Sequence, residues 1–357
     1  MIHPEYYETL KDDGTVASSD ASKLSSVQGK NLLWLRRINV RLLSSTLGRE
    51  IIYGEDRDAD GNYRDELNIV IEGYKKIATG ADYGVVAISN LSYQDIVRIV
   101  DGEFDNIEIW AGYRYGGFYK FYEGSVTFIS QKISSHRDYT CYITFANKLI
   151  AAWTQQRVNF NLNSGINLYT AFQHINEKCG VQPVNLDADL KKTILNKMEH
   201  GFASAKGFTD MVSEMDNSIF ATTDPSAFGD VVDITKIDGK QFIYLDSDSI
   251  VIQNGNPTLD KNGLKITIMP TYNFRVGDVI VVDNRLIDIS ESSVSENKTE
   301  FKSMYLDTTF SKASGEKRNY GTYMIREIHF RFENRGAAFN LGIIAKALSL
   351  VSNWYYE

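Results

Sequence analysis

Between Ile107 and Ala146 the sequence keeps a two-residue rhythm that few folds satisfy. Ile107, Ile109, Ala111 and Tyr113 fall on one side of a strand, Glu108 and Trp110 on the other. Tyr139, Cys141, Ile143 and Phe145 share a side opposite Thr140, Tyr142 and Thr144, and a third strand-like run, Gly124 to Ile133, lies between. Successive strand side chains point to opposite faces, so sustained alternation predicts an antiparallel sheet with one buried face. An apolar strand, residues 85–88, precedes this meander, and a short helix, Tyr93 to Asp101, is predicted between them. Ser92 with Asp95 three residues on gives a capping-box start. Ile96, Ile99 and Val100 make an apolar stripe, and Gly102 supplies the left-handed stop.

The rest of the chain divides around this stretch. Residues 1–30 are polar and aperiodic, an extended arm that either orders on a neighbour or stays a disordered leader. Arg37 to Leu43 is a strand with Ile38, Val40 and Leu42 facing in. A turn-rich stretch, Gly48 to Gly61, leads to a second strand at Leu67 to Ile71. Residues 56–61 match the opening of a calcium-binding loop, but the closing ligand position holds Leu67, so the reading there is a solvated hairpin tip. After a connector, residues 148–161, Asn163 or Ser164 caps a helix whose apolar face is Leu168, Ala171, Phe172, Ile175 and Cys179, stopped by Gly180. A second helix, Gly207 to Asp216, carries Phe208, Met211, Val212 and Met215. Short strands follow near 231–234, 241–245 and 250–252, making a small mixed α/β region. Strands then return at Leu264 to Ile268 and Val276 to Val282, and after a long polar segment at Gly321 to Phe332 and Phe339 to Ala345.

Two ordered motif sets carry a resemblance. The first is Ile88-Ser89-Asn90-Leu91-Ser92, then Ile109-Trp110-Ala111-Gly112-Tyr113, then Glu123-Gly124-Ser125-Val126. The second is Asn273-Phe274-Arg275-Val276-Gly277-Asp278, then Gly321-Thr322-Tyr323-Met324-Ile325, with His329 and Gly336 following. Together they resemble the tube-like hub proteins at the base of the tail tube in contractile-tailed bacteriophages and related injection machines. Phe274 stands where that family often has Pro. The resemblance implies a mainly β chain with an α+β insertion, two tube-like antiparallel β-barrel domains flanking a small α/β domain. The implied segments are an arm (1–30), a first tube-like domain (31–150), the α/β domain (151–262), a second tube-like domain (263–346) with an insertion at 283–320, and a docking tail (347–357). It implies a trimeric structural virion protein that joins a six-fold tail tube to a three-fold spike around the DNA path, assembled in the host cytoplasm. Its implied partners are the tail tube or distal tail tube protein, the central spike protein, the tape measure protein and other baseplate proteins.

The sequence has no Gly-rich phosphate loop, no His-Glu-x-x-His, no Cys-x-x-Cys and no Gly-x-Ser-x-Gly. The five His residues, His3, His136, His174, His200 and His329, are scattered, and His329 reads as a surface or interface residue on an alternating strand. No catalytic, cofactor-binding or metal residue is therefore assigned, and no enzymatic activity is expected. A formal charge of −8 argues against sequence-specific nucleic-acid binding, which needs a basic stripe. Cys141 and Cys179 read as core residues rather than a disulfide framework, and no apolar run is long enough to span a membrane. The alternative is a glycan-binding or glycan-cleaving β-protein of a virion, since 46 Asp and Glu offer many carboxylate pairs; another tube-fold component of a tail or secretion apparatus is a further one. Finally, two similar sheet units are expected, Ile107–Tyr113 with Gly124–Ile133 and Tyr139–Ala146, and Val276–Val282 with Gly321–Phe332 and Ala337–Ala345. A bulge near Arg326-Glu327 is expected to absorb their difference in length.

Overall fold

The computed structural model describes residues 36–57, 63–65, 67–76, 82–113, 118–133, 138–147, 156–181, 184–186, 188–195, 199–215, 219–222, 232–236, 242–245, 257–260, 263–270, 272–283, 286–289 and 320–347. The first half holds β1 (Arg36–Leu43), β2 (Glu50–Arg57), β3 (Tyr63–Asp65), β4 (Ile69–Lys76), β5 (Tyr83–Ser89), α1 (Tyr93–Val100), β6 (Asn106–Tyr113), β7 (Phe118–Ile133) and β8 (Tyr139–Ala146). Helix α1 begins as its sequence requires: the Ser92 hydroxyl accepts the Asp95 N–H, and Gly102 turns with φ +75°. Ile96 and Ile99 are buried, but Val100 is exposed on the far side of the helix.

The middle holds β9 (Arg157–Leu162), α2 (Leu168–Lys178), β10 (Val184–Leu186), β11 (Glu199–Ser204), α3 (Ala205–Met215), β12 (Ile219–Thr222) and β13 (Val232–Lys236). Strand β9 pairs with β11, and β10, β13 and β12 form a three-stranded sheet. Leu168, Ala171, Phe172 and Ile175 of α2 pack on Phe208 and Val212 of α3 in a core of their own. The cap of α2 is Asn167, whose side chain accepts the Thr170 N–H, rather than Asn163 or Ser164. The chain between them is a turn held by Gly165 N–H donating to Leu195 O.

The remaining strands are β14 (Phe242–Leu245), β15 (Thr258–Asp260), β16 (Gly263–Ile268), β17 (Val279–Asp283), β18 (Asp288–Ile289), β19 (Tyr320–Glu333) and β20 (Phe339–Ala347). These join the strands of the first half in one sheet, in the order β18-β15-β16-β20-β19-β4-β5-β8-β7-β6-β1-β2-β3, with β17 beside β19 and β14 beside β17. The sheet is open, which corrects the expectation of two closed barrels. Strand β4, the edge through which the first half would close, is paired instead along β19 of the second half. Among the described residues no ladder joins the two ends of the sheet. The sheet curls all the same, and one core runs through both halves. Phe121 stands edge-on to Phe330 and Phe332 at centroid distances of 5.0 and 5.1 Å, and Tyr113 to Phe339 at 5.4 Å. Such contacts add about 0.5–1.5 kcal/mol each to the burial of the rings.

Several boundaries differ from expectation: β4, expected at Leu67 to Ile71, runs over Ile69–Lys76, and β17, expected from Val276, begins at Val279. Residues 50–57 form β2 within the stretch read as turns, recruited by pairing along β1. Strand β7 begins at Phe118, so Gly124 lies inside it. A Cβ there would stand 2.6 Å from Ala146 O, a close approach only glycine permits.

Candidate functional site

The two halves repeat one unit. Strands β5, β8, β7 and β6 lie side by side in that order, all neighbours antiparallel, and β16, β20, β19 and β17 do the same. The registers agree in detail. Ile88 faces Cys141 and Val86 faces Ile143; Ile268 faces Leu341 and Ile266 faces Ile343. Val126 pairs with Phe145 and Phe128 with Thr144, leaving Thr127 as an extra residue. Ile325 pairs with Ala345 and Glu327 with Ile344, leaving Arg326. Just before each irregularity the long strand makes the same bond: Val126 N–H donates to Asp105 O, and Ile325 N–H to Asp278 O, both at 2.9 Å. The bulge expected at Arg326 is present. Thr127 carries its counterpart, however, so the bulge does not account for the length difference. Gly321 is the counterpart of Tyr122, not of Gly124.

Past the bulge the two long strands part company. Residues Glu327 to Glu333 of β19 pair with β4, from Glu327↔Lys76 to Glu333↔Val70, and this seam joins the two units. Its outward side chains are matched across the ladder. Lys76 and Glu327 are 3.2 Å apart, Tyr74 stacks on His329 at 5.6 Å, and Arg331 reaches Glu72 at 4.0 Å. The inward face is filled by Ile328, Phe330 and Phe332, all buried. Asn334 ends the seam by accepting the Ile69 N–H at 2.8 Å and donating to Leu67 O at 2.6 Å. Beside it, Arg36 donates to the carbonyls of Gly336 and Ala337 at 2.7 and 3.0 Å, tying β1 to the β19–β20 turn. Glu333 accepts from Arg331 at 2.9 Å and from Ala338 N–H at 3.3 Å. Burial pushes its carboxyl up, but the bonds from Arg331, Ala338 and Ala337 outweigh it and hold the carboxyl below its ordinary value. On the outward side the seam floors a groove of about 590 Å³ lined by Glu72, Tyr74, Tyr83, His329, Arg331 and Asn340, among others.

Among the described residues the same stretch of β7 has no such partner. Among the described residues, β7 pairs with β6 only as far as Ser125, and from Phe128 to Ile133 it pairs with β8 alone. Phe128 is 63% exposed and Ile133 is 73% exposed. In the second unit their places are taken by Glu327 and Phe332, both inside the seam.

No family model matches the sequence, and no curated protein does. Solved structures do. A 43 kDa tail protein of prophage MuSo2 from Shewanella oneidensis matches at 8% identity and TM-score 0.47, over 87% of this chain and 96% of that one. A tail protein from Neisseria meningitidis MC58 matches at 10% identity and TM-score 0.49, over 88% and 97%. An Escherichia coli component of the type VI secretion system matches at 10% and 0.46, over 79% and 74%. Likenesses at this level carry no inference about what the chain does.

The residues singled out in the sequence are placed as follows. His329 is exposed on the seam, beside Glu327 at 3.4 Å. Trp110, on the outer side of β6, is half-buried within the chain: it stacks on Phe118 and donates to Glu108 at 3.1 Å. Cys141 and Cys179 are buried free thiols, each pushed up by burial. Among the described residues no group of three or more His, Cys, Asp or Glu is placed to hold a metal ion, and no helix is long and apolar enough to cross a membrane. Residues 58–62 of the acidic hairpin tip, His136, residues 290–319 of the insertion and the tail 348–357 lie outside the described residues. The open edge of β7 escaped the sequence reading, because Gly124 to Ile133 reads as a strand without marking which of its edges is paired.

Proposed function

We propose that this chain is a structural hub of a phage-type tail, three copies of which end the six-fold tail tube and seat a three-fold spike. Its work is mechanical rather than catalytic, and the path for DNA or tape measure runs through the ring. Its neighbours are the tube protein above, the spike below and other baseplate proteins around it, within a virion assembled in the host cytoplasm. The observation that carries the reading is the repeated unit, alike in strand order, direction, register and bulge. Three subunits with two such units each offer six similar elements, which is what a three-fold object needs to meet a six-fold one. The two motif sets of the sequence fall one on each unit. Light scattering of the purified chain, and the symmetry of the assembled particle, test it. A trimer is expected; a stable dimer or hexamer of this chain in the particle overturns it.

A further inference from the structure

The seam between the two units has an unfilled counterpart. Glu327 to Glu333 of β19 is paired by β4, while the corresponding run of β7, Phe128 to Ile133, is paired on one edge only among the described residues. An open edge of this length is a template for another chain, and proteins ordinarily cover or blunt it. The strand that would fill it is defined by the repeat. Strand β4 stands next to β5 in the first unit, and β15 stands next to β16 in the second. Gly73 faces Gly84, which faces Phe145; Leu259 faces Leu264, which faces Ala345. So Glu72, Gly73 and Tyr74 correspond to Thr258, Leu259 and Asp260. Within one chain the edge of β15 is covered by β18, which among the described residues runs parallel to it over two positions, Thr258↔Asp288 and Leu259↔Ile289.

Resting on the three-copy reading, we infer that the β7 edge of one copy pairs antiparallel with β15 of the next, and that β18 is the cover it displaces. The seam inside the chain gives the register. Arg331 opposite Glu72 becomes Lys132 opposite Thr258, and His329 opposite Tyr74 becomes Ser130 opposite Asp260. Ile133 then takes the place that Phe332 occupies at the internal seam, where Phe332 is wholly buried. Parallel pairing over two residues is a weak hold, and the antiparallel seam inside the chain runs over seven positions, Glu327 to Glu333. The exchange therefore favours the assembled ring, while β18 blunts the edge of a free copy.

Engineered cysteines in the full chain test the register. The double variant K132C/T258C should oxidise to covalent dimers and trimers on a non-reducing gel, whereas neither single variant nor the off-register pair F128C/T258C should. A non-covalent trimer by light scattering whose K132C/T258C variant stays at monomer mass, or cross-links no better than the off-register pair, overturns the edge pairing and leaves the three-copy reading standing. A chain that is monomeric at every concentration and in the particle overturns both. The cover is tested by D288P, or by I289T should the proline unfold the chain. Weakening β18 should lower the protein concentration at half assembly by about tenfold, the effect of roughly one lost hydrogen bond; an unchanged or raised midpoint overturns the exchange.

Discussion

Asn334 does for Ile69 what a strand would have done: its side-chain carbonyl accepts the Ile69 N–H at 2.8 Å while its amide donates to Leu67 O at 2.6 Å. The two residues are far apart in sequence, and the clasp pins the start of β4 to the turn after β19. Asn334→Ala leaves both backbone groups without that partner where the seam begins. The expected loss is about 1–3 kcal/mol. It should appear as a lower urea midpoint and as faster amide exchange at Ile69. Exchange at Ile69 unchanged by the substitution would show that the clasp holds nothing.

The outward charges of the seam support the register that its buried face specifies. Lys76 and Glu327 face each other at 3.2 Å, each side chain about 30% exposed. Cross-strand pairs of this kind contribute about 0.2–1 kcal/mol, and like charges directly opposite repel. Lys76→Glu should destabilise the chain by about 1 kcal/mol, and Glu327→Lys added to it should recover most of that. A double-mutant cycle in urea measures the coupling. Strict additivity of the two substitutions would mean the pair does not act across the seam.

These two contacts also mark where the sequence stops being informative. Strands β1, β6 and β8, helix α1 with its Ser92 cap and the apolar faces of α2 and α3 were legible, because each buries one face and so writes a period into the chain. Strand β2 was not. Ile52 is exposed beside buried Tyr53, which blurs the alternation, and Gly54 takes φ +128° against Ile38 O. The true start of β7 was hidden for a similar reason. Phe121 and Tyr122 are both buried because the register slips between Ile109 and Trp110. The seam left no local signal at all, since β4 and β19 lie far apart in the sequence and neither strand marks its partner. Hub-like motifs suggested barrels, but they could not reveal that β4 spends its edge on β19.

Gly73 and Gly84 lie directly opposite each other beside the seam. Their backbones are extended, so the need for glycine is spatial rather than conformational. A Cβ at Gly84 would meet Phe145 Cζ at 2.5 Å and Glu72 O at 2.6 Å; one at Gly73 would meet Tyr83 O at 2.6 Å and Phe330 Cζ at 2.7 Å. Both rings are buried and cannot retreat without opening the core. Gly84→Ala and Gly73→Ala should each cost about 1–3 kcal/mol. Thermal unfolding of the two variants measures it, and a midpoint equal to that of the parent chain would contradict the packing.

The seam should weaken in acid. The Glu333 carboxyl is held below its ordinary value of 4.5 in the folded chain: burial opposes its ionisation, but the bonds from Arg331 and the backbone N–H groups of Ala338 and Ala337 favour it more strongly. A lowered folded pKa means that the ionised form is the one folding stabilises. That contribution is complete above the unfolded value and is lost as pH falls through the folded one. Glu333→Gln keeps the shape and removes the charge. Its cost in urea unfolding should be larger at pH 7 than at pH 3, and an equal cost at both would deny the linkage.

The two bulges predict opposite outcomes for the same deletion. Removing one residue from a strand turns everything beyond it to the other face. Beyond Arg326 lie Ile328, Phe330 and Phe332, each fully buried or nearly so. Exposing three such side chains costs about 5–9 kcal/mol in all, which rivals the whole stability of an ordinary domain. Deleting Arg326 should therefore leave no folded protein. Beyond Thr127 lie Ile129, Gln131 and Ile133, none of them buried in the single chain. Deleting Thr127 should leave a folded monomer with a circular dichroism spectrum like the parent's and an unfolding free energy lowered by about 1–2 kcal/mol, within the usual cost of a single change. That monomer presents the wrong face of β7 to a neighbour. Its trimer peak in light scattering should be absent at concentrations where the parent chain is fully assembled. If the Thr127 deletion still assembles, the face of β7 beyond the bulge is not a contact; if it unfolds like the Arg326 deletion, that face is already core in the single chain.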